Sequence, residues 1–179
     1  MKIVASFLIL VISVTFLSCS PSRQKMAGKI SSLEAKMKTS TSIDTNAVNE
    51  LISGYQKFVT RFPDDSLSPD YLYRAASIAA GYQKGNQAIE LFQKIITSYP
   101  NYKKTPECYF MLAFTYENVL GNLGKANEMY NTFIAKYPDH QLVQDAKTAI
   151  KYLGKSPDAM IRDFERQNAV ADSLKTAGK

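Results

Sequence analysis

The sequence predicts an all-α protein built from stacked helical hairpins, and three observations lead to this fold class. Three segments end alike: FVTRFPD at 58–64, IITSYPN at 95–101 and FIAKYPD at 133–139. Their prolines lie 37 and then 38 residues apart, and a proline cannot continue a helix. The apolar residues before each proline recur at helical spacing. Glycines interrupt the chain once between the first and second prolines and again between the second and third. A period of this length is typical of helical repeat proteins.

The three helices that end at the prolines overlay residue by residue. Tyr55 falls on Phe92 and Tyr130, and Leu51 falls on Ala88 and Ala126. The leading helix has one broad apolar face, which we expect to be buried. Its members are Val48, Leu51, Ile52, Tyr55, Phe58, Val59 and Phe62.

A further helix is predicted before each of the last two, over 70–82 and 107–119. Gly85-Asn86 and the segment 121–124 are expected to form the turns inside the hairpins. Ala76 should then meet Ala88, and Ala113 should meet Ala126, where the paired helices approach closely. A large side chain at these positions would force the helices apart.

This unit resembles the tetratricopeptide repeat. Residues of the family pattern are matched at Tyr109, Leu112, Ala113, Tyr116, Ala126, Tyr130, Phe133 and Pro138. The preceding unit matches less closely in its first helix and well in its second, at Leu72, Ala75, Ala76, Ala79, Ala88, Phe92, Ile95 and Pro100. The resemblance covers about 46–153. It implies a solenoid of antiparallel helix pairs, wound as a right-handed superhelix, that binds a protein segment in an inner groove.

The resemblance also implies which residues line that groove, because one side of each first helix faces it in the family. These residues are Tyr73, Ser77, Ala80, Glu107, Phe110, Phe114, Glu117 and Asn118. Phe110 and Phe114 are expected to form one apolar strip, since they lie four residues apart on a helix. Some members of the family bind a terminal carboxylate through Lys, Arg and Asn in the groove. Here those basic residues are missing and two acids replace them, so no carboxylate clamp is expected. A partner with apolar anchors and basic charge is expected instead. Alternatively, the C-terminal helix or the next repeat covers both phenylalanines.

The N-terminus has the features of a secretory signal peptide. Lys2 precedes an uncharged run from Ile3 to Leu17, about 22 Å long as a helix and therefore short of a ~30 Å bilayer core. The Ser18-Cys19 pair that follows resembles a bacterial lipobox, which implies cleavage before Cys19 and lipidation of its thiol. Ser20 in the next position implies the outer membrane, facing the periplasm. An uncleaved signal anchor is the alternative.

Four segments are therefore predicted. They are a signal peptide (1–18), a lipid-anchored flexible linker with a short helix near 25–38 (19–45), the repeat domain (46–154) and a C-terminal capping helix with a tail (155–179). The last helix, opened by Ser156 and Pro157, either docks as a lid or presents an apolar stripe to a partner.

Nothing in the sequence predicts an enzyme, a cofactor or a metal site. Phosphate-binding loops, nucleophile elbows and zinc motifs are absent. Cys108 is expected to be a small buried residue of a helix, and His140 a surface residue of a loop. Nucleic-acid binding is disfavoured, because residues 46–179 hold sixteen basic and fourteen acidic side chains and are nearly neutral.

The sequence favours a non-catalytic envelope scaffold that binds a protein, similar to the tetratricopeptide-repeat lipoproteins of outer-membrane β-barrel assembly. The alternative is a lipoprotein that binds a small ligand, a glycan or peptidoglycan.

Overall fold

The computed structural model describes residues 20–39 and 44–177. The predicted signal peptide and Cys19 lie outside the described residues. Where the chain is described, its regular secondary structure is entirely helical. The eight helices are α1 (Ser20–Thr39), α2 (Thr45–Arg61), α3 (Ser68–Gly81), α4 (Gly85–Ser98), α5 (Thr105–Asn118), α6 (Leu123–Lys136), α7 (Val143–Tyr152) and α8 (Pro157–Ala177).

The chain divides into two compact units, of which unit 1 ends at Tyr102 and unit 2 begins at Lys103. In unit 1, α1 packs against α2, α2 against α3, and α3 against α4. In unit 2, α5 packs against α6 and α6 against α7. Each unit therefore contains one complete predicted hairpin, α3–α4 or α5–α6.

Helices α2, α4 and α6 end in the same way, as the three prolines predict. The aromatic residue before each proline caps the helix by donating its backbone N–H to the carbonyl four residues earlier, at 2.8 Å for Phe62, 2.8 Å for Tyr99 and 2.9 Å for Tyr137. Three residues further on, the N–H of Asp65, Tyr102 or His140 donates back to the carbonyl of that aromatic residue. Proline suits the second position of such a turn because its ring fixes φ.

The predicted cores are confirmed. Of the apolar face of α2, all but Phe62 are buried, and Phe62 at the helix end is half-buried. The four alanines that were expected where paired helices approach are fully buried, Ala76 with Ala88 and Ala113 with Ala126. In unit 2 the core continues into α7 through Val143 and Ala146.

The turns inside the hairpins use the predicted glycines only in part. In the α3–α4 turn the residue in the left-handed region is Gln83, with φ 58°, whereas Gly85 is the buried first residue of α4. In the α5–α6 turn Gly121 has φ 63°, and the side chain of Asn122 caps α6 by accepting from the Lys125 N–H.

Helix α1 is longer than the short helix predicted near 25–38, and residues 20–39 do not form a tether. It runs antiparallel along α2, with Ile30 buried over Gly54, where an added Cβ would lie 3.5 Å from the Ile30 side chain. Ion pairs join Arg23 to Asp65 and Lys29 to Glu50. Helix α1 thus packs against α2 in the place of the first helix of a hairpin. The repeat pattern in the sequence did not predict this partner for α2.

Helix α8 begins where the sequence predicts, at Pro157. Gly154, with φ 73°, ends α7, and the Ser156 hydroxyl accepts from the Ala159 N–H at 3.3 Å to cap α8. Within unit 2, α8 does not pack along any other helix. Of the two alternatives for this helix, the exposed stripe agrees with the structure and the docked lid does not.

Candidate functional site

The predicted groove residues fall into two sets. Tyr73, Ser77 and Ala80 lie on α3 in unit 1; Tyr73 and Ser77 are half-buried, whereas Ala80 is buried and does not line an open groove. The other five lie on one side of α5 in unit 2 and are named here the α5 face. Its members are Glu107, Phe110, Phe114, Glu117 and Asn118.

The two phenylalanines of the α5 face have different surroundings. Phe110 is half-buried and packs edge-on against the rings of Tyr130 and Phe133 on α6, with centroids 5.5 and 5.9 Å apart. Phe114 is 41% exposed. The expected single apolar strip is therefore divided: Phe110 belongs to the hairpin core and Phe114 to the surface. Phe110 contacts the second helix of its own repeat, and the core cluster that it packs against also includes Val143 and Ala146 of α7.

Glu117 is held in place by α6. The hydroxyl of Tyr130 donates a 2.9 Å hydrogen bond to its carboxylate. Burial raises the pKa of Tyr130, and the hydrogen bond to Glu117 raises it further. The phenol therefore remains a proton donor at neutral pH, and the Glu117 carboxylate is fixed beside Phe114 rather than free to rotate.

The two ends of the α5 face differ in solvent exposure. Glu107 is half-buried near the start of α5, and its charge adds to burial in raising the pKa of the neighbouring Cys108 thiol to about 12. Cys108 is fully buried, as predicted. Asn118, at the other end, is exposed and donates from its side-chain amide to the Phe114 carbonyl at 3.2 Å. The accessible part of the face is thus centred on Phe114 and Asn118.

On α3, Tyr73 packs edge-on against Phe92 of α4, with ring centroids 6.2 Å apart. This contact is the counterpart of the Phe110–Tyr130 contact in unit 2, because Phe92 and Tyr130 share a register position. It gives Tyr73 a packing role within its own hairpin.

Sequence reasoning missed a charged cluster on unit 1. The Glu34 carboxylate of α1 accepts from the Tyr55 hydroxyl and pairs with Arg74 of α3 at 2.9 Å, and Arg74 also pairs with Asp70 at 2.7 Å. The cluster joins three helices, so its evident role is to hold α1 in place. No local motif reveals it, since Glu34 and Arg74 are forty residues apart.

His140 is also more deeply placed than predicted. Its ring lies edge-on to Phe133, with centroids 5.4 Å apart, and its Nδ1 accepts from the Leu142 N–H at 3.2 Å. It is half-buried because the turn after Pro138 folds it onto the hairpin core. Its contacts are structural and leave it poorly placed for chemistry.

Among the described residues, no group of three or more histidines, cysteines and carboxylates is arranged to hold a metal ion. The helices in the described part of the chain are not long and apolar enough for any of them to cross a membrane.

Comparison with known protein families agrees with this geometry. The tetratricopeptide-repeat family model matches residues 70–102 and 107–140, which cover the α3–α4 and α5–α6 hairpins with their proline turns, apart from the first two residues of α3 and of α5. No curated protein matches the chain. The predicted fold class, an all-α tetratricopeptide-like solenoid of helical hairpins, is confirmed. Residues 70–140 thus carry two tetratricopeptide repeats, a module whose general role is to bind other proteins.

Proposed function

We propose that this protein is a non-catalytic scaffold of the bacterial cell envelope, anchored by lipid at Cys19, that binds a protein partner through its tetratricopeptide repeats. The observation that carries the proposal is the pair of repeats over residues 70–140. Each repeat presents one side of its first helix, and in unit 2 that side bears an exposed aromatic ring.

The chemistry of the α5 face specifies the kind of partner. Phe114 offers an apolar contact, and the fixed carboxylate of Glu117 lies one helical turn away on the same side. Basic side chains are absent from the predicted face, so a C-terminal carboxylate would find no cation there. A partner segment with an apolar anchor and a nearby Lys or Arg fits best.

The envelope location rests on the N-terminal sequence. Several acyl chains on one residue hold a protein on a membrane far more firmly than one chain, since each buried CH₂ contributes about 0.8 kcal/mol. Ser20 after the lipobox cysteine favours the outer membrane, and the resemblance to lipoproteins of β-barrel assembly makes outer-membrane protein assembly or envelope maintenance the finer proposal.

Partner binding is tested with the tagged full chain in bacterial cells, by chemical cross-linking and mass spectrometry. Phe114→Ser should reduce recovery of a specific envelope protein while the melting temperature stays within a few degrees. Leu120→Ser is the matched control, because Leu120 is equally exposed, at 41%, but lies off the α5 face. Equal recovery with both variants would refute the α5 face as the binding surface.

Lipidation is tested separately by Cys19→Ala. The variant should accumulate as an unprocessed precursor, and metabolic labelling with a fatty acid should be lost. Mature-sized protein that still fractionates with membranes would show that the anchor is not at Cys19.

A further inference from the structure

Helix α1 fixes where the N-terminal side of the chain meets unit 1. Cys19 directly precedes Ser20, the first residue of α1, and consecutive Cα atoms are only about 3.8 Å apart. Near the start of α1, Arg23 pairs with Asp65 in the turn that follows α2. The start of α1 and the end of α2 therefore lie at one end of unit 1, which we name the anchor end. A lipid on Cys19 would hold this end at a membrane, because α1 is packed against α2 and is not a tether.

A groove lies between α1 and α2 at the anchor end, and we name it the basic groove. It is lined by Met26 of α1 and by Ser53, Gln56, Lys57, Thr60 and Arg61 of α2. Lys57 and Arg61 are exposed and lie one helical turn apart on the same side of α2. Two cations beside the hydroxyl of Ser53 and the amide of Gln56 are the donors that bind a phosphate group.

The acids near the basic groove are almost all occupied by other cations. Asp65 is bound to Arg23, and Glu50 pairs with Lys29 at 3.0 Å. On the α3 side of α1, Glu34 and Asp70 both pair with Arg74. The exposed Asp64 has no ion pair within the described residues, and after burial its charge raises the pKa of Tyr99 at the end of α4.

The cations at the anchor end have no such partners. Neither Lys57 nor Arg61 forms an ion pair within the described part of the chain. The same holds for Lys25 of α1 and Lys94 of α4, which are exposed at this end of unit 1. The end of α4 belongs to it because the Tyr99 hydroxyl donates to the Pro63 carbonyl at 2.8 Å. The anchor end therefore carries a surplus of positive charge.

We propose that the basic groove binds the phosphate of an anionic phospholipid in the membrane that holds the chain, so that unit 1 stands with its anchor end against that membrane. This inference rests on the lipid anchor at Cys19 of the proposed function. Charge complementarity selects the lipid, since Lys and Arg at a membrane surface are attracted to anionic headgroups and not to neutral ones. Lys36 and Lys38, about 24 and 27 Å along α1 from Ser20, lie too far from the surface to contribute.

The proposal is tested on protein expressed from the full sequence, purified from bacterial membranes and reconstituted into phosphatidylcholine vesicles with or without phosphatidylglycerol. Mass spectrometry first establishes the lipid on Cys19; a chain without it would refute the anchor and this proposal together. A fluorophore is attached at Ser66→Cys, an exposed position of the anchor end outside the groove, and Cys108 stays unlabelled because it is fully buried. Ala35→Cys, exposed near the other end of α1, is the control position.

Phospholipids that carry a nitroxide on the headgroup quench the fluorophore where the two meet. At position 66 we expect at least about threefold more quenching when phosphatidylglycerol is present, and at position 35 little quenching in either vesicle. Lipidated protein whose label at 66 is quenched equally in both vesicles would overturn the proposal and leave the anchor standing. Equal quenching at positions 66 and 35 would also overturn it.

Charge variants test the groove itself. Lys57→Glu combined with Arg61→Glu should reduce quenching at position 66 to the level of neutral vesicles, because it places like charge against the headgroups. Lys36→Glu combined with Lys38→Glu makes the same charge change at exposed positions of α1 and should leave quenching unchanged. The melting temperatures of both double variants should match the parent within a few degrees. Equal quenching in the two double variants would rule out lipid recognition by the basic groove.

Discussion

The hydroxyl of Tyr130 donates a 2.9 Å hydrogen bond to the carboxylate of Glu117 across the α5–α6 hairpin. The same kind of bond joins Tyr55 of α2 to Glu34 of α1, and Tyr55 and Tyr130 occupy the same register position. The α3–α4 hairpin has Phe92 there, which makes the edge-on contact with Tyr73 but has no hydroxyl to donate. The position thus accepts either a ring alone or a ring with a polar anchor, depending on whether the neighbouring helix supplies a carboxylate.

Tyr130→Phe should lower the free energy of unfolding by about 1 kcal/mol, because it removes one hydrogen bond to a half-buried carboxylate that can still reach water. Urea denaturation measures the effect. Tyr137→Phe is the control, since the Tyr137 hydroxyl has no hydrogen-bond partner among the described residues, and it should change stability by less. A double-mutant cycle with Glu117→Gln should show coupling between the two sites. Additive effects would mean that the bond contributes nothing to stability.

The three phenylalanines of the α5–α6 hairpin should differ in the cost of truncation. Phe133 is fully buried, so Phe133→Ala should cost about 3–5 kcal/mol. Phe114→Ala should cost less than about 1 kcal/mol, because the ring is 41% exposed. Phe110→Ala should fall between them, since its ring is half-buried against α6. Equal costs for Phe110 and Phe114 would contradict the division of the α5 face.

Two alanines of α6 test how closely the paired helices approach. Ala126 is fully buried in the hairpin core, and Ala126→Leu should cost about 1–3 kcal/mol through overpacking. Ala135→Leu adds the same atoms at an exposed position of the same helix and should stay within about 0.5 kcal/mol of the parent. Thermal unfolding ranks the two. If Ala126→Leu were tolerated as well as Ala135→Leu, the two helices would not be in close contact there.

Helix ends and core positions could be predicted from the sequence because their signals are local. The proline after Tyr99 stops α4 whatever surrounds it, and the alanines at 113 and 126 are small because two backbones approach. The observed ends of α3 and α5 lie within two residues of the predicted ones, whereas α4 and α6 begin inside the segments predicted as turns, at Gly85 and Leu123.

The contacts that could not be predicted join residues far apart in the chain. Helix α1 is polar on average, and what holds it are pairs such as Arg23 with Asp65, 42 residues apart. Likewise, Phe110 and Phe114 are the same residue type on the same helix side. Only the position of the α6 rings makes one of them core and the other surface, and a repeat pattern does not encode that position.

The ion pair between Arg23 and Asp65 should make stability depend on pH. The hydrogen bond from Arg23 holds the pKa of Asp65 below its ordinary value of 3.8. A carboxyl whose folded pKa is lowered binds fewer protons in the folded than in the unfolded protein. Its contribution is therefore complete above about pH 4 and is lost as the pH falls through the lower, folded value.

Asp65→Asn removes this contribution. We expect the variant to be less stable than the parent at pH 6 and the difference to shrink below pH 4, measured by urea unfolding at each pH. Asp64→Asn serves as the control, because Asp64 is exposed and forms no ion pair within the described residues. A difference between the parent and Asp65→Asn that stays constant down to pH 2.5 would show that the pair does not stabilise the fold.

Gly154 and Gly121 form a matched pair for the last prediction, because both have positive φ, at 73° and 63°. An alanine at either position adopts the left-handed region at a cost of about 1–2 kcal/mol. Around Gly121 an added Cβ would meet nothing within 4 Å, whereas at Gly154 it would lie 2.8 Å from Leu123 Cδ1. Gly154→Ala should therefore destabilise the protein slightly more than Gly121→Ala in thermal or urea unfolding, the excess being small because Leu123 is 41% exposed and its Cδ1 can shift. In a Leu123→Ala background the two costs should become similar, because the obstructing methyl is gone. Should Gly154→Ala keep its larger cost in that background, the contact between the α7–α8 turn and Leu123 would not be its cause.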